Sequence, residues 1–282
     1  TTIEAKAFYR CYKLKLIEFL DNNVAKIGSS AFAYCKNLSN FIVPNKVVKI
    51  ESRCFDKCEN LVSIVLHEGI TEIEEKAFNK CQKLENFDVP KSVTQIGKGA
   101  LKKCINLQSI HIPGVLLCKD NIAENEPNDE PVASFTIPTN FASGCEKIIS
   151  MKIMKLSESL TIENNAFANC SSLQSLFFDV SKTTKIGISA FQKCDLKKVD
   201  FNINQDSSLE IGEHSFNNCE KLTNVNFINP DSLLENGLEI KNGAFKECLL
   251  LKEINIPNKI KGEIGEGSFQ GCGKLKKVTL PT

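Results

Sequence analysis

The run Ile96-Gly97-Lys98-Gly99-Ala100-Leu101-Lys102-Lys103-Cys104-Ile105-Asn106-Leu107-Gln108-Ser109-Ile110-His111-Ile112-Pro113 decides the fold, because the chain repeats its pattern from end to end. Equivalent cysteines stand at Cys11, Cys35, Cys58, Cys81, Cys104, Cys145, Cys170, Cys194, Cys219, Cys248 and Cys272, most of them 23 to 25 residues apart. Eight residues before each is an isoleucine, from Ile3 and Ile27 through Ile240 and Ile264, without a slip in eleven copies. Three residues before the cysteine is a phenylalanine, replaced by Leu101 in one copy and inverted to Phe141-Ala142 in another. Apolar residues follow at plus three, plus six and plus eight, as in Leu107, Ile110 and Ile112. The alternation at plus six and plus eight predicts a strand with one buried face, whereas Ala-Phe-x-x-Cys-x-x-Leu has the three-residue spacing of a helical or 3₁₀ turn. One strand and one turn cannot bury their apolar sides alone; stacked copies can, and such a period is the mark of a solenoid.

The rest of the composition agrees with a packed repeat protein. The 282 residues carry 35 basic and 34 acidic side chains, a net charge of +1 that names no nucleic acid or acidic lipid partner. No apolar run approaches the ~20 residues that span a bilayer, so direct membrane insertion by this segment is not expected. Two intervals depart from the period. The 41 residues between Cys104 and Cys145 contain eighteen extra residues, assigned to a surface loop at 114–134 that is rich in acidic side chains and carries Pro127 and Pro131. A shorter insertion surrounds Asn229 to Gly237. The chain opens and closes within ordinary repeats, which predicts a single solenoid over 1–282 that is a fragment of a longer chain.

The run from Ile96 to Leu107, and its copy from Ile264 to Leu275, resemble the leucine-rich repeats of the BspA-like surface antigens, and the resemblance extends over nearly the whole sequence. It implies an α/β leucine-rich-repeat solenoid with a parallel sheet on the concave side and short helical or 3₁₀ turns on the convex side. It also implies a cell-surface or secreted protein that binds a host matrix or plasma protein, and it supplies no catalytic residues. A parallel β-helix has rungs of this length too, and some β-helices are polysaccharide lyases; that fold wants three strands per rung, and only one alternating segment is evident here.

The residues capable of chemistry are dispersed. Ladder cysteines on rungs about 5 Å apart are poorly placed for disulfides, so they are read as reduced, small apolar core fillers. Cys54 and Cys58 form a C-x₃-C pair without a second pair or histidine, which argues against a zinc site. Cys118, inside the insertion, is the thiol expected to be exposed and reactive. His67, His111 and His214 occupy different repeat positions and suggest no triad, and the glycines that follow the repeat isoleucines are read as permitting a tight corner. No metal, cofactor or catalytic residue is expected, and the sequons at Asn37 and Asn169 sit on tight turns.

The residue between the two buried strand positions points away from the core. This outward row runs Glu18, Ile42, Val65, Asp88, His111, Lys152, Phe177, Asp200, Asn226, Asn255 and Thr279. Ile42 with Val65 near Leu16, and Phe177 flanked by Lys152 and Asp200, are the expected contact clusters, with His111 as a polar contact. The function expected is non-catalytic, adhesin-like recognition of a host protein or glycan through the concave sheet face. A carbohydrate-active β-helix enzyme and an intracellular leucine-rich-repeat scaffold are the alternatives.

Overall fold

The computed structural model describes residues 1–21, 23–112, 115–118, 134–153 and 158–280. They fall into two compact units, one of residues 1–113 with 140–147, the other of 114–139 with 148–282. Each unit is a parallel-strand solenoid, and most turns of the solenoid carry two strands rather than one.

In the first unit, the strands predicted from the plus-six and plus-eight alternation pair in register, Asn40–Ile42 with Ser63–Val65 and Asn86–Asp88 with Ser109–Ile112. A second sheet forms at the repeat isoleucines, where Thr2–Ile3 pairs with Lys26–Ile27, and Lys49–Ile50, Glu72–Ile73 and Gln95–Ile96 pair in sequence. The second unit repeats the scheme with longer strands. Its first sheet runs in parallel through Ser150–Ile153, Ser175–Val180, Lys198–Ile203 and Asn224–Ile228. Its second sheet runs through Ser134–Ile137, Ser159–Ile162, Thr183–Ile186, Ser207–Ile211 and Leu233–Ile240. The isoleucine column is therefore the inward row of a sheet. A two-residue strand such as Lys26–Ile27 has too few positions to show alternation, which is why the pattern hid it.

The segment expected to form a short helical or 3₁₀ turn is a pair of tight turns. Bonds of the 3₁₀ kind do form, from the Ala77 amide to the Glu74 carbonyl at 3.3 Å and from Cys81 to Phe78 at 3.2 Å. A helix cannot propagate, because residues five and one before every ladder cysteine adopt left-handed φ, for example Lys76 at 55° and Lys80 at 60°. Among the described residues the only helical segment is the 3₁₀ turn Pro230–Ser232. Amides at the left-handed positions point to the next rung: Lys57 donates to the Asn79 carbonyl and Lys80 to the Lys102 carbonyl, both at 2.8 Å. The turns thus extend the interstrand ladder around the corner and leave few backbone groups unpaired.

The glycines after the repeat isoleucines have a different cause from the corner expected of them. Gly97 lacks positive φ, but a Cβ there would lie 2.3 Å from the Glu75 nitrogen of the preceding rung, so the requirement is close approach of two backbones.

Two columns fill the core. Phe8, Phe32, Phe55 and Phe78 stack with ring centroids 5.2 to 5.6 Å apart in the first unit. Phe167, Phe191, Phe216, Phe245 and Phe269 do the same in the second, at 5.2 to 5.5 Å. Burying each of the fully buried rings between the end members Phe8 and Phe269 contributes about 2 to 3 kcal/mol. Beside them runs the cysteine column, in which thiols donate to a backbone carbonyl of the rung before: Cys35 to Phe8 at 3.1 Å, Cys58 to Phe32 and Cys81 to Phe55 at 3.2 Å, Cys145 to Leu101 at 3.4 Å, Cys219 to Phe191 at 3.2 Å. The ladder cysteines from Cys35 to Cys248 are buried and unbridged, as expected, but they are donors as well as fillers.

Part of the segment at 114–134 is not a free loop. Val115–Cys118 forms a strand antiparallel to Ser150–Ile153, with Leu116 opposite Lys152. The acidic residues of the segment and the Cys118 side chain lie outside the described residues.

Candidate functional site

The outward row of the first sheet is assembled by registers that the repeat period dictates. In the first unit Ile42 stands opposite Val65, and Asp88 opposite His111. Ile42 is 69% exposed and Val65 54%, close to Leu16 at 56%. Leu16, Glu18, Ile42, Pro44 and Asn45 line an open cleft of about 380 Å³ at this edge. Polar ladders flank the apolar pair: Ser63 donates to the Asn40 side-chain oxygen at 2.8 Å, and Ser109 to that of Asn86 at 2.6 Å. The first bond fixes side chains beside Ile42 and Val65 without covering them, and the second does the same beside Asp88 and His111.

In the second unit Lys152, Phe177, Asp200 and Asn226 follow one another across four strands. The Lys152 ammonium sits 6.0 Å from the centroid of the half-buried Phe177 ring, within range of a cation–π contact. Asp200 belongs to this row yet is buried, 8% exposed. Its carboxylate is paired with Lys198 at 2.6 Å and accepts from Asn226 Nδ2 at 2.7 Å, so it braces the face more than it presents a charge. One row along, Asp179 accepts from Asn202 Nδ2 at 2.7 Å. A fixed polar lattice around a rigid aromatic ring suits recognition, because little side-chain freedom is lost when a partner docks.

The histidines do not cluster within either unit. His67 lies against the Pro44 carbonyl at 3.1 Å and accepts from the Gly69 amide at 3.0 Å, so its ring organises a turn. His111 is half-buried on the strand face, and His214 Nε2 is 3.5 Å from the Glu213 carboxylate in the second unit. Among the described residues no group of three metal-binding side chains comes together. Burial pushes the ladder thiols away from the reactive thiolate, Cys35 up to about 11 and Cys104 and Cys219 up to about 12. Both sequon asparagines are exposed, and Asn169 holds a left-handed φ of 63°.

The outward row was legible from the period. The thiol-to-carbonyl column and the left-handed corners were not, although Asn165, Asn169, Gly267 and Gly271 at those corners carried the signal.

The comparisons with known proteins agree with this architecture. Residues 1–124, 135–237 and 238–282 match the family described as BspA type leucine rich repeat region, six copies. A leucine rich cell surface protein from Faecalibacterium prausnitzii is similar in structure, with a TM-score of 0.52 and 27% identity over 99% of this chain and 69% of that one. A leucine-rich repeat protein from Bacteroides ovatus gives a TM-score of 0.55 and 25% identity over 99% and 76%. No curated protein matches the chain. With the family pattern covering nearly every residue and the ladders it implies present in both units, the chain belongs to the BspA-type leucine-rich repeat proteins.

Proposed function

We propose that this chain is a non-catalytic recognition module of a cell-surface or secreted protein, holding a host protein or glycan against the outward face of its first sheet. The observation that carries the reading is the placing of outward apolar side chains in a rigid polar surround, the exposed Ile42 and Val65 in one unit and the half-buried Phe177 near Lys152 in the other. Exposed apolar clusters of this kind mark contact surfaces more often than plain solvated strand faces do. Support for the location comes from the F. prausnitzii relative, which is described as a cell surface protein.

The test is a binding screen of the purified chain against matrix proteins, plasma proteins and glycan arrays, followed by Phe177→Ala with Lys152→Glu on whichever partner is found. Loss of an aromatic anchor and its cation predicts a drop of about 2 kcal/mol or more in binding, roughly thirtyfold in Kd. Lys193→Glu, on the turn side of the second unit, leaves the affinity of a strand-face partner unchanged. A partner lost through Lys193→Glu and indifferent to the strand-face pair would refute the assignment.

A further inference from the structure

The left-handed corners are filled differently in the two units. In the second unit the ten positions are Asn165, Asn169, Ser189, Lys193, His214, Asn218, Gly243, Glu247, Gly267 and Gly271, mostly the residues that accept positive φ at low cost. In the first unit seven of twelve are basic: Lys6, Arg10, Arg53, Lys57, Lys76, Lys80 and Lys103. The fold demands the conformation but not the charge. Lysine is a strained choice for a corner that asparagine or glycine fills at six of ten positions in the other unit, so the backbone conformation alone does not call for this run of basic residues.

These side chains also converge. The ladder bonds from Lys57 to Asn79, Lys80 to Lys102 and Lys103 to Ser143 place Lys57, Lys80 and Lys103 on three successive rungs. At about 4.8 Å per rung they form a column roughly 10 Å long, with Arg53 and Lys76 in the parallel column at the other corner. Lys98 and Lys102 lie close enough to share the same field, and the Lys102 ammonium donates to Asn140 Oδ1 at 3.3 Å. Burial, then the positive charges of Lys103, Lys76, Lys98 and Lys80, push the Lys102 ammonium below its ordinary value. Some charge is answered locally: Lys76 pairs with Glu75 at 2.7 Å, and Lys57 donates to the Tyr34 hydroxyl at 2.8 Å. Among the described residues Lys80, Lys98 and Lys103 have no ion-pair partner.

We propose that this ridge on the turn side of the first unit binds an anionic polysaccharide, a sulfated or uronic-acid-rich glycan, separately from the strand-face site. Lysine point charges on flexible stems suit dispersed sulfates and carboxylates. Single-stranded nucleic acid would want stacking platforms. The turns carrying Lys80 and Lys103 offer none: Phe78 is buried, and Tyr34, one rung before Lys57, is already covered by Lys57 at 4.4 Å and Arg10 at 5.6 Å.

The experiment measures binding of the chain to heparin as the sulfated probe, across a salt series, beside Lys80→Asn with Lys103→Asn. Heparin affinity should fall about tenfold in the double variant, and by the counterion-release arithmetic the salt slope should drop by about two. Its thermal midpoint should hold or rise, because asparagine relieves the corners. A control, Lys252→Asn with Lys276→Asn, removes two exposed lysines from the second unit and should change affinity less than twofold. Absence of heparin binding at low salt, equal losses in both double variants, a lowered midpoint in the corner variant, or single-stranded DNA held as tightly as heparin would each overturn the proposal.

Discussion

Cys81→Ala tests whether the cysteine column is part of the architecture. The Cys81 thiol is fully buried and donates to the Phe55 carbonyl at 3.2 Å; that carbonyl also accepts from the Cys58 amide at 3.1 Å and so keeps one partner when the thiol is removed. The cost is therefore the transfer free energy of about one methylene-sized group, ~0.8 kcal/mol, a cavity contribution of a few tenths, and a weak sulfur hydrogen bond of about 0.5 kcal/mol. The sum is about 1.5 to 2 kcal/mol. Cys81→Ser keeps a donor but places a hydroxyl in an apolar slot, which costs about 1 to 3 kcal/mol and offsets the bond it makes. Serine should therefore be no better than alanine. Urea denaturation read at constant m separates these cases. A neutral serine variant beside a destabilised alanine variant would show that the slot selects a donor, and two neutral variants would show that the column contributes nothing.

The phenylalanine column predicts that Phe78→Ala, which loses stacking on Phe55 and edge contact with Phe87, costs about 3 to 5 kcal/mol in the same assay. Phe78→Leu should cost only about 1 to 2 kcal/mol, because Leu101 fills the equivalent slot one rung on. The raised thiol pKa values predict alkaline sensitivity. With Cys104 moved from 9.0 to about 12, its contribution is complete below the unfolded value and declines as pH rises toward the folded one. The stability gap between the parent and Cys104→Ala should thus shrink by about 1 kcal/mol between pH 9 and pH 10, and an unchanged gap would contradict the burial argument. Native alkylation followed by mass spectrometry should modify the exposed Cys11 and spare the ten buried thiols; rapid labelling of Cys81 or Cys104 would contradict the packing.

What the sequence disclosed followed from period and what it withheld followed from length and conformation. The strand at Ser109–Ile112 was legible because Ile110 and Ile112 alternate with His111, and the outward row followed at once. The strand at Gln95–Ile96 was not, because two residues cannot alternate. The spacing of Ala100, Leu101 and Cys104 was that of a helical turn, and the i-to-i+3 bonds are there, but Gly99 and Lys103 at φ 66° and 59° reverse the chain before a helix can extend. A net charge of +1 concealed the basic ridge, since Lys57, Lys80 and Lys103 are neighbours only after the rungs stack. Asp200 shows the limit of a purely positional reading: it lies in the row, but its carboxylate is paired with Lys198 and Asn226 and is buried.

The central claim is that the outward face of the first sheet holds the ligand, and hydroxyl-radical footprinting with and without a partner from the binding screen tests it most directly. Bound partner should slow oxidation of Phe177, or of Ile42 and Val65 together, while Leu249 and Leu250, exposed away from that row, react at the same rate in both samples. Unchanged oxidation at all three strand-face residues with protection elsewhere would contradict the claim.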